Sequence, residues 1–363
     1  MKLSSIIAQF EAALLAQYSG RILPSHRHAL AVMKRCRNRR SPRMLAHCAR
    51  CDYQTTFPHS CGHRNCPHCQ HFESQRWLLR QQQKQVPAPY FLVTFTLPAE
   101  LRSLAWHQQR TLYANMIECG WKTIRTFALH DKQLQGTAGA IAVLHTHSRR
   151  LEYHPHVHWI VPAGAIDSKH RLWRTKGGNN KKAYLFPHRA LAKVFRAKLL
   201  EAIHKIGLAI PRHPENWVVD CKAVGSGGKA LVYLSRYLYR GVLQEKEIVA
   251  CKEGNVTFRY QNAKTGKSEL RTLPGAQFLW LLLQHVLPKG FRRTRNFGFL
   301  HPNSKTLIQL LQRITGLNPV RALVVLKKRP AILCPSCGGA MIIRATKLPP
   351  LSVSSDFILS GAT

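Results

Sequence analysis

Three histidines stand at alternate positions in the stretch Leu151-Glu152-Tyr153-His154-Pro155-His156-Val157-His158-Trp159-Ile160-Val161. Imidazole ligates divalent metals and changes charge near neutrality, so a row of it is a candidate metal site. The alternation and the apolar, β-branched end predict a strand. Residues two apart on a strand share a face. His154, His156 and His158 therefore share one face, and Val157, Trp159 and Val161 turn to the other, where a core can cover them. A surface strand that is histidine-rich by chance is the bland alternative. Three alternating histidines with a candidate nucleophile farther along the chain weigh against it.

That nucleophile lies in Gly225-Ser226-Gly227-Gly228-Lys229-Ala230-Leu231-Val232-Tyr233-Leu234-Ser235-Arg236-Tyr237-Leu238-Tyr239-Arg240. The glycines lack the spacing of a phosphate loop. As a helix, the segment puts Leu231, Leu234 and Leu238 in one core-facing stripe. Tyr233 and Tyr237, four apart, lie side by side on its flank with Arg240 next to them, while Tyr239 points away. Two half-buried tyrosines are the commoner fate of such a pair. The neighbouring arginine, the flexible glycine lead-in and the histidine strand favour a chemical role. A phenol with its usual pKa of about 10 is a weak nucleophile at neutral pH. It becomes competent when a metal polarises the phosphate it attacks and cations steady the phenolate. Two tyrosines on one face could perform two successive transesterifications, each storing the bond energy as a phosphotyrosine ester.

The elements that must position these groups can be read around them. Tyr90-Phe91-Leu92-Val93-Thr94-Phe95-Thr96-Leu97 predicts a buried strand, and residues 99–130 carry helical periodicity. Ala140 to His147 predicts a second strand just before the histidine strand. A hairpin centred near Arg150 and Leu151 places His145 across from His156 on the same face, which makes His145 a candidate third ligand beside His154 and Glu152. A slip of one residue would remove it. Residues 165–185 predict a mobile basic loop. Helices are expected at 4–18, 73–86, 188–206 and 275–287, a strand at 217–221 and a hairpin at 255–273. The segment 346–363 has little pattern and predicts disorder.

Cysteine spacing marks a second kind of chemistry. Cys48-Ala49-Arg50-Cys51 and Cys66-Pro67-His68-Cys69 are two close-spaced knuckles, a strong signal for tetrahedral zinc. Read together they close one structural zinc site over residues 45–72, which have few apolar groups of their own. Cys61 replaces one ligand or belongs to a second site. Cys334-Pro335-Ser336-Cys337 is a lone knuckle whose distant thiol neighbours are Cys221 and Cys251, so it supports metal binding weakly.

The chain has 363 residues, with 55 Lys and Arg against 16 Asp and Glu, a net charge of +39. A basic excess spread along a chain that is 45% hydrophobic predicts a folded protein with a polyanionic partner, nucleic acid above all. The eleven cysteines read as metal ligands in a reducing compartment. The polar residues within Met1 to Gly20 do not suit a signal peptide, and Phe278 to Leu287 is too short to span a bilayer, so a soluble cytoplasmic, nucleoid-associated protein is expected. Pro288-Lys289-Gly290-Phe291-Arg292-Arg293-Thr294-Arg295 suits a single strand, with bases stacked on the ring and phosphates on Lys289, Arg292, Arg293 and Arg295. Arg50, His63 and Arg64 would add phosphate contacts.

His156-Val157-His158 resembles the His-hydrophobic-His motif of rolling-circle endonucleases, and Tyr233-Leu-Ser-Arg-Tyr237 resembles their paired tyrosines. Ser60-Cys61-Gly62-His63-Arg64-Asn65-Cys66-Pro67-His68-Cys69-Gln70, Tyr153 to His158, Lys229 to Tyr233 and His285-Val286-Leu287-Pro288-Lys289-Gly290-Phe291 resemble, in order, the two-tyrosine transposases of the insertion sequence ninety-one family. Positions 147–149, usually Trp-Gly-Gln in that pattern, read His147-Ser148-Arg149 here. The resemblance implies an α+β chain in three parts: a helical and zinc-binding module at 1–86, a ferredoxin-like antiparallel nuclease domain at 87–245 and a basic extension at 246–363. It also implies a transposase that nicks and transfers single-stranded DNA at transposon ends and targets, using Mg²⁺ or Mn²⁺ on His156, His158 and a third ligand. A zinc-ribbon nucleic-acid-binding protein without catalysis is the alternative from another class. A plasmid replication initiator or relaxase would share the chemistry.

Overall fold

The computed structural model describes residues 2–38, 41–69, 71–167, 169–170, 172–176, 185–239, 242–262, 265–316 and 331–350, the side chains of 71–72, 236–239 and 314 excepted. Helix α1 (Leu3–Gln17) buries Ile6, Ile7, Phe10 and Leu14 at helical spacing. Helix α2 (Pro24–Lys34) begins with a proline, where the missing N–H costs nothing. The hairpin of β1 (Arg43–Cys48) and β2 (Gln54–Pro58) follows, then α3 (His71–Gln82).

The central unit starts with β3 (Tyr90–Thr96), a short α4 (Arg102–His107) and the long α5 (Gln109–His130). Strands β4 (Thr137–His147) and β5 (Tyr153–Pro162) come next, then the hairpin β6 (Gly164–Asp167) and β7 (Leu172–Thr175). Helix α6 (His188–Lys205), strand β8 (Val219–Ala223) and helix α7 (Gly228–Tyr239) complete it. The sheet order is β7-β6-β4-β5-β3-β8, with every pairing antiparallel. Strands β3, β4, β5 and β8 with α5 and α6 make the split βαββαβ arrangement of a ferredoxin-like sheet, so the fold is α+β.

Strands β3, β4 and β5 alternate between two covered faces. Phe91, Val93 and Phe95, Ala140, Ala142 and Leu144, and Val157, Trp159 and Val161 pack under α5 and α6. Gly120 of α5 faces Trp159 so closely that a Cβ there would stand 2.8 Å from the indole, which holds the helix against the sheet. On the opposite face, Ile141, Val143 and Ile160 pack with Trp77 and Leu78 of α3 and with Leu231 and Leu234 of α7.

The remaining elements fold back onto these units. Strands β9 (Ile248–Lys252), β10 (Asn255–Gln261) and β11 (Ser268–Pro274) form a small sheet, and α8 (Gly275–Leu283) packs in one core with α1. Strand β12 (Thr294–Gly298) pairs with β4, α9 (Lys305–Ile314) buries Ile308 and Leu311 with the α3 and α7 side chains, and β13 (Met341–Leu348) pairs with β1.

Two expectations need correction. The basic loop at 165–185 holds the β6–β7 hairpin, because Asp167 gathers the Lys169 and His170 N–H groups, the His170 ring and Arg174 into a turn; residues 177–184 lie outside the described residues. The patternless segment from 346 begins inside β13. That strand is mostly exposed, so it is made by pairing with β1 and not by its own apolar pattern; residues 351–363 lie outside the described residues.

Candidate active site and cysteine clusters

The β4–β5 hairpin puts His145 across from His156 and Val143 across from His158, in the expected register. Ring centroids are 5.2 Å apart for His145 and His156, 4.4 Å for His145 and His158, and 4.8 Å for His156 and His158. One nitrogen of each lies within 4.8 Å of the others. The other two candidates are held elsewhere. His154 Nδ1 accepts from Arg102 at 2.7 Å, and Glu152 pairs with Arg271 at 3.4 Å and Arg150 at 3.8 Å.

Burial pushes the His156 pKa down to about 4 and those of His145 and His158 well below the usual value. Neutral rings keep a lone pair for a metal. His156 Nδ1 donates to the His154 carbonyl at 2.7 Å, which leaves Nε2 as the acceptor, and His158 Nδ1 meets Thr94 Oγ1 of β3 at 2.8 Å. Such outer contacts fix the tautomer and aim of metal-binding histidines. The donor set fits a divalent ion with open positions for substrate.

The divergent positions 147–149 build the hairpin end. His147 is buried 5.1 Å from His285, which bonds Thr146 Oγ1 at 3.2 Å and the Leu151 carbonyl at 3.1 Å. Ser148 Oγ accepts from the Arg150 and Glu152 N–H groups at 3.2 Å. Nothing in the spacing of His285 announced this support.

Helix α7 covers the triad's face of the sheet: Leu231 and Leu234 pack with Ile141, Val143 and Ile160, which alternate in line with His145, His156 and His158. Tyr233 of this helix is 40% exposed. Tyr237 lies on the same helix, but its side chain and all of Arg240 lie outside the described residues.

The 288–295 segment borders two open clefts. One, of 1450 Å³, is lined by Arg80, Lys84, Arg110, Arg292, Arg295 and Lys305; the other, of 680 Å³, by His28, His63, Arg64, Arg292 and Arg293. Arg293 also bears on His145, His147 and His285, adding to the depression of their pKa values, and its carbonyl accepts from Leu144 at 2.9 Å. The Lys289 carbonyl accepts from Arg110. The expected stacking role of Phe291 fails. That ring is 3% exposed, inserted into the main core with Arg295 over its face at 5.4 Å. Arg64 donates to the Phe291 carbonyl at 2.8 Å and so holds this segment.

The knuckles do not share one site. Cys66 and Cys69 join Cys61 and Cys36, whereas Cys48 and Cys51 turn toward Cys334 and Cys337. In the first cluster, sulfurs lie 3.3 Å apart for Cys36 and Cys69 and 3.6 Å for Cys61–Cys69 and Cys36–Cys66. These gaps exceed a disulfide's roughly 2 Å and approach the roughly 3.8 Å edge of a tetrahedron with 2.3 Å Zn–S bonds. The reason for the exchange is packing: Cys36 and Cys66 are buried in the α1–α2–α8 core, which draws the 61–69 loop there. Cys36 sits alone within a basic run, so spacing gave no cue to it. Cys221 is buried in the main core, and Cys251 meets Gln9 at 3.4 Å.

Among the described residues no helix is long and apolar enough to cross a membrane. Residues 139–306 match a family model described as "Putative transposase", and residues 6–97 one described as "Transposase zinc-binding domain". The chain is 27% identical to the "Putative transposase y4qJ" of Sinorhizobium fredii, over 82% of this chain and 80% of that one. It is 26% identical to the transposase for insertion sequence element IS801 of Pseudomonas savastanoi pv. phaseolicola, over 69% of this chain and 63% of that relative's length. Among solved structures, the conjugative relaxase TrwC in complex with OriT DNA is 14% identical, covering 63% of this chain and 72% of that one, with a TM-score of 0.27, too loose a superposition to argue from. With the zinc-binding and transposase domains matched in that order, the chain resembles the two-tyrosine transposases of the insertion sequence ninety-one family and carries their transposase zinc-binding domain at its amino-terminal side.

Proposed function

We propose that the protein is a DNA transposase that nicks and rejoins single-stranded DNA through a tyrosine nucleophile. The observation that carries this reading is the His145–His156–His158 triad, three neutral imidazoles with nitrogens within 4.8 Å, on the sheet face that α7 covers. A divalent ion held there supplies Lewis acidity to a scissile phosphate. An all-imidazole donor set serves Mn²⁺ better than Mg²⁺, which favours oxygen ligands.

Tyr233 or Tyr237 attacks the phosphorus. The bond from tyrosine oxygen to phosphorus forms, the bond to the 3′ oxygen breaks, and the phenol proton ends on the departing 3′-hydroxyl. The product is a 5′-phosphotyrosine, and the second tyrosine serves the second strand transfer. Arg293, beside the triad, and Arg292 and Arg295, along the clefts, hold the phosphates of transposon-end and target DNA; Lys289 and Arg240 extend that surface. The Cys36–Cys61–Cys66–Cys69 cluster holds a structural zinc, its four thiolates leaving no open position. Such a protein works in the cytoplasm on the nucleoid.

The test is incubation with Mn²⁺ and single-stranded DNA from both flanks of its own gene, followed by denaturation and mass spectrometry. A DNA–peptide adduct on residues 229–240 is expected, lost in the Tyr233→Phe, Tyr237→Phe double variant. DNA bound but never covalently attached would mean a binding protein without this chemistry.

A further inference from the structure

We propose that Cys48, Cys51, Cys334 and Cys337 form a second, separate zinc site, a ribbon whose two knuckles lie 283 residues apart and which clasps β13 to the amino-terminal hairpin. Cys334 and Cys337 fall outside both matched domains, which end at residues 97 and 306.

The two knuckles are the same turn built twice. Cys48 N–H donates to the Tyr53 carbonyl at 2.9 Å, and Cys334 N–H to the Gly339 carbonyl at 2.8 Å. Asp52 N–H returns to the Cys48 carbonyl at 3.0 Å, and Gly338 N–H to the Cys334 carbonyl at 2.9 Å. The residue after the second cysteine is left-handed in both, with φ 57° at Asp52 and 69° at Gly338. Each turn thus presents two thiols on one side, and the two turns face each other. Cys48 and Cys337 sulfurs stand 3.5 Å apart and those of Cys51 and Cys334 3.6 Å apart. That is too far for a disulfide and close to the edge of a zinc tetrathiolate.

The surroundings need an ion. Among the described residues, the β13-β1-β2 sheet has a buried cluster of Ala46, Cys48, Cys334 and Met341, with only Phe57, Ile332 and Cys337 partly buried against it. Two of those four are thiols, so the apolar contribution is small. Metal binding supplies folding energy to modules of this kind. With four sulfur ligands the site is closed and structural. Its work is to hold a mostly exposed strand against β1 and so tie the carboxy-terminal segment to the zinc-binding module.

The experiment is metal counting and thiol footprinting on the full chain. Wild type is expected to hold two zinc equivalents on thiolates, counted apart from the histidine triad by the thiolate charge-transfer bands of the Co²⁺-loaded protein, which should show two tetrathiolate sites. Cys334→Ser, Cys337→Ser should fall to one equivalent, and so should Cys61→Ser, Cys66→Ser, each losing a different site. In the zinc-loaded wild type, N-ethylmaleimide should spare Cys48, Cys51, Cys334 and Cys337 together until a chelator is added. One equivalent in wild type, or prompt alkylation of Cys334 and Cys337 in the loaded protein, overturns the proposal. The wild-type measurements stand even where a variant fails to fold, and none of them depends on DNA cleavage.

Discussion

The histidine triad and the cysteine clusters are built on opposite principles. His145, His156 and His158 come from two strands joined by one short hairpin, so their meeting is settled by strand alternation and one register. The cysteine clusters draw on segments far apart in the chain, Cys36 with Cys69 and Cys51 with Cys334, so their partners are settled by how separate units pack. A local site can be read from spacing. A remote site shows its half-sites in the sequence and hides their pairing.

The largest expected effect separates the two kinds of site by what they do. Alanine at His145, His156 or His158 should lower nicking by about a thousandfold, in the range lost when electrostatic stabilisation of a transition state is removed. DNA affinity by gel shift should stay within about twofold, since phosphate contacts carry it. Normal nicking in His145→Ala, with loss in His156→Ala and His158→Ala, would break the comparison by moving the third ligand off the hairpin. Thermal unfolding gives the converse. Cys66→Ser should lower the Tm by about 5–10 °C, at roughly 2–4 °C per kcal/mol, while His156→Ala should shift it by no more than about 2 °C.

Acid should unfold the metal-free protein through histidines that burial keeps neutral. Burial holds His26 to about 4 and His285 to about 3, against an ordinary 6.5. Below pH 6.5 the unfolded chain binds protons that the folded chain refuses, so stability falls as pH drops from 6.5 toward 4. Each such group contributes a slope of about 1.4 kcal/mol per pH unit. Urea midpoints between pH 7 and pH 5 check this, and His26→Gln should flatten the slope if it folds. A flat profile in wild type would mean that these rings are solvated.

The smallest effect lies in the clefts. Arg292→Ala and Arg295→Ala should weaken single-strand binding regardless of sequence, and each should reduce the slope of log K against log salt by about 0.7. An unchanged slope would place the strand elsewhere. Phe291→Leu should leave base stacking unaltered, because that ring is buried; fluorescence of a 2-aminopurine-labelled strand reports it.

The sequence by itself determined strands β3, β4, β5 and β8 and the helices of the central unit, though not its β6–β7 hairpin, together with the two-faced alternation of β5 and the register that brings His145 to His156. These follow from short-range periodicity and the length of one turn. It also marked each cysteine knuckle, because a thiol pair on a tight turn is a local property. Tertiary structure alone decided that Cys36 completes the first cluster, that Cys334 and Cys337 meet Cys48 and Cys51, and that Phe291 is core. It decided, too, that Arg102 takes His154 out of the metal row and that His285 braces the hairpin end. Each of those outcomes depends on contacts between units whose relative placement no local pattern encodes: burial of α1 against α8, and an exposed strand β13 that exists because β1 offers it a free edge.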